Sequence, residues 1–318
     1  MPALVALAAG FISTSHGGPQ LLYALLLGIG FNYLADDPRV SPGLDFCSRH
    51  LLRLGVGLLG ARITASQVVA LGWSTTAIVI AGIVTTILAG VFVARRLGMT
   101  SAQGVLTGGS VAICGASAAL ALSAVLPQRK GHENFTVVVV VAVTLLSTVA
   151  MLAYPVIAKL FELPPQLAGL FIGGSIHDVA QVVGAGYALG AETGDVAIVV
   201  KLLRVSLLVF VVAIVALVFR ERHDTPGAVV RPREWLVPWF LWMFVGMVAL
   251  NSTGIIVPAV QDALGSLSRV LLLLAIAALG INTSFAQLVR VGWIPVLLII
   301  GETLWLGALV FGVAISMR

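Results

Sequence analysis

The chain has 318 residues, of which 59% are hydrophobic and 10% charged, with a formal net charge of +5. Soluble domains carry about 25% charged residues, so a water-soluble enzyme is excluded, and no basic arm or aromatic-laced basic patch points to nucleic acid. Apolar runs near 20 residues recur along the whole length, which reads as an all-α, polytopic membrane protein whose Lys and Arg excess is a topology signal.

The first apolar run, Met1 to Gly10, lacks the basic start of a signal peptide and is too short to span; it reads as a helix fragment or an interfacial piece. Spans are expected at about 19–34, 51–61, 73–95, 134–158, 196–219, 236–251, 268–281 and 292–316. Two further segments, about 101–126 and 164–189, are apolar but interrupted by glycine, giving about ten membrane segments. Cys47 and Cys114 make neither a disulfide framework nor a metal site, and Cys114 reads as a small packing residue. No nucleotide-binding motif appears, and neither a cofactor nor a metal is expected.

Short or interrupted segments at matching places in two halves mark repeat-built transporters. Sliding the chain by about 220 positions lays 19–95 on 238–316. Pro19, Leu22 and Asn32 fall on Pro238, Leu241 and Asn251, and Ser48 and Arg49 fall on Ser268 and Arg269. Gln67, Gly72 and Trp73 fall on Gln287, Gly292 and Trp293. The interrupted segments echo each other too, with Gly104, Gly108, Gly109 and Ser110 on Gly169, Gly173, Gly174 and Ser175. This is the pattern of an inverted-repeat transporter.

Basic loops set the orientation. Arg95 and Arg96, and the linker 220–234 with Arg220, Arg222, Arg231 and Arg233, belong inside; the acidic loop Ala191–Asp195 belongs outside. If both interrupted segments dip in and return, Arg129 and Lys130 also fall inside and all assignments agree. If both cross, those two residues fall outside. Charge bias favours dipping but leaves both readings open.

The stretch Gly169–Arg204 carries the densest chemistry. Backbone broken by glycine at membrane depth survives only inside protein or beside water. Lys201 and Arg204, one turn apart, read as a clamp for an anion, or else as a structural pair with Asp178. His177 and Asp178 follow the break and are candidates for proton or ion coupling, with a helix cap as the plainer role for Asp178. Ser110, Ser175, Gln181 and Ser117 are neutral hydrogen-bonders beside the breaks, suited to an oxyanion or to helix packing. Arg62 reads as an anion gate or a headgroup anchor. Asn32 and Asn251 are candidates for bonds between the halves, and Trp73, Trp235, Trp239 and Trp293 for an interfacial belt. A Ser-x-His pair does not align a nucleophile with its base, so an enzyme is not expected.

Leu51-Leu52-Arg53-Leu54-Gly55, Gly60-Ala61-Arg62-Ile63-Thr64, Cys114-Gly115-Ala116, His177-Asp178-Val179-Ala180-Gln181 and Lys201-Leu202-Leu203-Arg204, with Ala278-Leu279-Gly280-Ile281-Asn282-Thr283, resemble the bacterial YeiH-like family, labelled sulfate exporters. The resemblance covers nearly the whole chain. It implies a bacterial cell-membrane protein, distantly similar to bile-acid symporters and sodium–proton antiporters. That superfamily implies inverted repeats and two discontinuous helices crossing near mid-membrane. The chain departs from it in a shorter N-terminus and in the order of its segments.

The expected function is secondary active transport of a small oxyanion, sulfate- or sulfonate-like, as an exporter with ion or proton coupling. The alternative is a cation–proton antiporter centred on Asp178. The expected partners are the anion and the lipid bilayer; a homodimer is compatible with this class.

Overall fold

The computed structural model describes residues 1–16, 20–35, 37–70, 72–127, 132–220, 239–283 and 293–318. The helices are α1 (Pro2–His16), α2 (Gln20–Gly30), α3 (Ser41–Phe46), α4 (Leu52–Leu59), α5 (Ala65–Ala70), α6 (Gly72–Arg96), α7 (Ser101–Ala112) and α8 (Ala116–Val125). They continue as α9 (His132–Leu160), α10 (Pro165–Ser175), α11 (Val179–Leu189), α12 (Ala191–Arg220), α13 (Trp239–Ser252), α14 (Pro258–Asn282) and α15 (Trp293–Ser316). No strand occurs among the described residues. Several expectations lie outside them: Pro19, Arg129, Lys130, the linker from 221 onward, Trp235, Gln287 and Gly292.

Five helices are long and apolar enough to cross a membrane: Gly72–Arg96, Asn134–Leu160, Ala191–Phe219, Pro258–Asn282 and Trp293–Ser316. Their outward faces carry large apolar side chains such as Leu88, Phe92, Phe210 and Leu217, as lipid demands. The protein is therefore a multi-pass membrane protein. The spans expected at 19–34 and 236–251 are the shorter helices α2 and α13. The segment expected as a span at 51–61 is only part of a longer helical stretch, 41–62. A π-helical turn, Cys47–Leu51, joins α3 to α4, and a 3-10 turn, Gly60–Arg62, follows α4, with right-handed helical backbone at each junction.

Local signals explain where elements start. Thr100 and Gln103 form a reciprocal capping box that opens α7. Pro165 and Pro258 open α10 and α14, where a missing N–H costs nothing.

Three of the residues that matched at a shift near 220 bond to a carbonyl in the opposite half. Ser268 of α14 donates to the Gly55 carbonyl of α4 at 2.6 Å. Asn32 donates to the Ile281 carbonyl at 2.7 Å, and Asn251 donates to the Ile63 carbonyl at 3.2 Å. Each asparagine thus ties the end of its own segment to the end of a helix from the other half.

Both glycine-interrupted segments fold back as helical hairpins. α10 and α11 lie on α12 at the same height. A Cβ on Gly169 would meet Val196 and the Thr193 carbonyl, and one on Gly186, past the break, would meet Gly194 and Ala197. In the first hairpin, a Cβ on Gly109 of α7 would overlap the Leu122 side chain of α8. A straight continuation would separate those residues by about 20 Å. The dip-and-return reading is the one the geometry follows, and a pair of helices running through the crossing is not. The one long helix α9 joins the open end of the first hairpin to the open end of the second, so the hairpins approach from opposite ends of the bundle.

Close packing of the hairpins depends on the echoed glycines. A Cβ on Gly108 would sit 2.9 Å from the Thr86 carbonyl oxygen of α6, and one on Gly173 would overlap the Ala197 carbonyl of α12. Ser110 and Ser175, at matching places, each donate back to the carbonyl one turn earlier, Leu106 and Phe171, at 2.5 Å.

Candidate functional site

Each hairpin tip ends a helix without a following turn, so its last carbonyls point at nothing of their own. The first tip is Ile113-Cys114-Gly115, and the second is Ile176-His177-Asp178. Gly115 has φ 65°, a left-handed conformation that glycine takes without strain. The two tips meet: His177 lies against Gly115, and its Nδ1 is 3.1 Å from the Val111 carbonyl oxygen.

Lys201 and Arg204 stand at this meeting point, completely buried. Lys201 lies about 15 Å along the axis from the start of α12, about a third of the way along that helix. Its ammonium donates to the Ile113 carbonyl at 2.6 Å, to Ile176 at 3.0 Å, and to His177. Arg204 donates through Nε to Ala112 at 3.0 Å and through Nη1 to Gly173 and Ile176, both at 3.0 Å. Its Nη2 donates to Val111 at 3.1 Å and to Ala112 at 2.7 Å. An ammonium has three N–H groups and a guanidinium five. Every one is taken by a backbone carbonyl of a hairpin end. The cations thus cap the negative ends of α7 and α10 together, which explains how like charges persist one turn apart. In this conformation neither side chain has a donor left to aim at an anion. Of the two roles weighed for the pair, the geometry draws the structural one, with carbonyls in place of Asp178 as the partner.

His177 is fully buried and bonded at both nitrogens. Val111 O can only accept, which assigns the proton to Nδ1 and leaves Nε2 to the Thr303 hydroxyl of α15 at 3.0 Å. Asp178 is the N-cap of α11; its carboxylate accepts from the Ala180 N–H at 3.4 Å, and its own N–H donates to Ser147 of α9 at 3.1 Å. Unlike its neighbours at the tips, Asp178 is only half-buried. Gln181, one turn on, is buried; its Nε2 is 3.5 Å from Thr148 and its Oε1 has no partner. Ser117, in the first turn of α8, is exposed, and the Gly115 cap supplies that helix end with no side chain.

The structure therefore gathers Lys201, Arg204, His177, Asp178, Ser110, Ser175 and Gln181 around the tips, with Ser117 just beyond. Arg62 stands apart. It packs on Gly265 of α14, within electrostatic reach of Asp195 and Tyr187, near the start of α12. Asp195 is about 9 Å along the axis from Lys201. Sequence reasoning missed Glu302 and Thr303. Glu302 is a buried carboxylate in the middle of α15, and its Oε1 accepts from Thr107 of α7 at 2.8 Å. A glutamate inside an apolar 24-residue helix was itself the available signal. No group of metal-ligating side chains occurs among the described residues.

Comparison with known proteins adds the family. A family model described as Conserved hypothetical protein 698 matches residues 1–299. A UPF0324 membrane protein of Chlorobaculum tepidum is 48% identical over 98% of this chain and 87% of its own length. The UPF0324 membrane protein TauZ of Paracoccus pantotrophus is 49% identical over 97% of this chain and 91% of its own. The UPF0324 inner membrane protein YeiH of Salmonella typhimurium is 32% identical over 95% of this chain and 87% of its own. No solved structure matches the chain. These names agree with the expected place in the bacterial inner membrane. The match over almost the whole length means that this chain belongs to the UPF0324 family of membrane proteins, in which YeiH also falls.

Proposed function

We propose that the protein is a secondary active transporter of a small oxyanion, sulfate- or sulfonate-like, working as an exporter. The observation that carries this reading is the meeting of two hairpin tips around two buried cations. A charge count at that point favours an anion. Lys201 and Arg204 bring two positive charges. The ends of α7 and α10 contribute about −0.5 each, Asp178 −1, and the starts of α8 and α11 about +0.5 each. The sum is about +1, and the accessible groups at the tips, Ser117 and the uncapped start of α8, are suited to oxygen anions. Here Lys201 and Arg204 act by field and by holding the tips, and the contacts to the anion come from helix starts, Ser117 and Gln181.

The matched helices and their reciprocal asparagine bonds support an inverted repeat of α2, α3–α4 and α6 with α13, α14 and α15. With the hairpins approaching from opposite ends, such a frame provides alternating access by motion of one part against another. The alternative, cation–proton antiport at Asp178, rests on that residue's partial exposure and its long bond from the Ala180 N–H.

Purified protein in vesicles preloaded with sulfate tests the choice. The oxyanion reading expects radiolabelled sulfate to exchange inward, with sulfonates competing, and expects Ser117→Ala to weaken exchange. Absence of any anion exchange, together with sodium–proton exchange that vanishes in Asp178→Asn, would install the alternative.

A further inference from the structure

Glu302 is 3% exposed in the middle of α15, and no basic side chain of the described residues pairs with it. Its neighbours are small. A Cβ on Gly90 of α6 would overlap its Oε1, and one on Gly108 of α7 would lie 3.5 Å from it. Its only hydrogen bond links Oε1 to the Thr107 hydroxyl at 2.8 Å, and Oε2 has no partner. In the same seam the Thr86 hydroxyl oxygen is also buried without a partner. An ionised carboxylate so placed, with one bond and no counter-charge, is costly.

Thr107 resolves the difficulty in one direction. Its hydroxyl has a single hydrogen and two acceptors in range, Glu302 Oε1 and the Gly104 carbonyl oxygen at 3.2 Å. When Glu302 is ionised, Thr107 donates to it. When Glu302 is neutral, its own O–H donates to Thr107, whose hydrogen turns to Gly104. Rotation of one hydroxyl therefore accommodates either protonation state of the carboxyl.

The next residue repeats the device. The Thr303 hydroxyl lies between His177 Nε2 at 3.0 Å and the Ile299 carbonyl oxygen at 2.8 Å. It donates to the neutral ring, or turns to Ile299 and accepts from a protonated one. Adjacent residues of α15 thus contact both hairpins, Glu302 through α7 and Thr303 through the tip before α11.

The surroundings contain little else that ionises. α7 and α10, both packed on α15, carry no ionisable side chain. On α6, Arg95 and Arg96 sit at the exposed end, where Arg95 bonds Ser101. On α9, Tyr154 faces α15 beside Gly307, His132 bonds Ser123 at the far end, and Lys159 is exposed.

We infer that Glu302, partnered by Thr107, is a proton-binding site that couples proton movement to the transport cycle. The coupling rests on the oxyanion reading; the proton binding does not. Infrared difference spectra of the full chain in lipid, across a pH titration, test the binding directly. A neutral carboxylic carbonyl band is expected that fades as pH rises, is lost in Glu302→Gln, and shifts in Thr107→Val. A band unchanged in Glu302→Gln, or one that never responds to pH, overturns the inference.

The coupling is tested in sulfate vesicles. In Glu302→Gln, sulfate–sulfate exchange without a pH gradient is expected to persist, whereas accumulation driven by a pH gradient is lost. Gradient-driven accumulation that survives Glu302→Gln overturns the coupling. If the unaltered protein exchanges no sulfate, the oxyanion reading and the coupling built on it fail, while the infrared result stands or falls alone.

Discussion

The two hairpins open alike and end differently. α7 and α10 both use a Gly-x-x-x-Gly-Gly-Ser run to lie against a long helix, α6 in one case and α12 in the other, and both close on a serine bonded back by one turn. Beyond that point they diverge. The first tip is Cys-Gly, with no side chain capping α8. The second is His-Asp, which caps α11 and reaches across to Val111. The shared part solves a packing problem, and the unshared part supplies chemistry. What joins them is a pair of cations borne by neither hairpin.

The sharpest way to break the comparison is to remove those cations. Arg204→Met leaves carbonyls of both tips buried and unbonded, and should cost about 3–5 kcal/mol. Thermal unfolding in detergent should show it, and a shift no larger than that of a surface variant would refute the capping role. Arg204→Lys, with three donors in place of five, should recover only part of the loss.

The glycines come next. Gly173→Ala must displace the Ala197 carbonyl, whereas Gly108→Ala meets Thr86 O at 2.9 Å. Both should destabilise by about 1–3 kcal/mol, with Gly173→Ala the worse of the two. The reverse order in the same melting assay would mean that α6 yields less than α12.

Smaller still are the asparagine ties. Asn32→Ala and Asn251→Ala should each cost about 1 kcal/mol and add without interaction, because they lie in separate contacts. A double variant that melts with marked coupling would show the two ends moving as one. Asp178→Asn should lower stability only slightly, since asparagine caps as well as aspartate and what is lost is one negative charge near Lys201. Its effect belongs to transport, and a large drop in melting temperature would make Asp178 a structural residue.

Much of this was legible beforehand, for identifiable reasons. The long spans follow from hydropathy, which lipid enforces directly. Asn32 and Asn251 were found because a rare polar residue recurring at one shift is hard to get by chance. The helix 41–62 was cut short because Asp45, Arg49 and His50 dilute the apolar signal around its π-helical turn. The direction of the hairpins was ambiguous because a fold-back and a crossing have the same composition; the contacts of Gly109 and Gly186 decide it. Lys201 and Arg204 stood out as cations inside an apolar helix, but their carbonyl partners were not readable. Main-chain carbonyls attract a guanidinium as an anion does, and a sequence does not display carbonyls. Glu302 is one carboxylate in an apolar 24-residue helix, so it leaves that span's hydropathy intact and marks no break.

One consequence follows from the level at which the tips stop. Helical hairpins coming from opposite ends leave only the few residues of their turns between them, far less than the bilayer's hydrocarbon thickness of about 30 Å. If water follows each hairpin inward, the transmembrane voltage falls almost wholly across that thin septum. An ion stepping past Lys201 would then feel close to the full electrical work, about 2.3 kcal/mol per charge for each 100 mV, over a very short path. Transport rates recorded at clamped potentials would expose this as steep voltage dependence, and flat rates would mean that the field is spread along the protein.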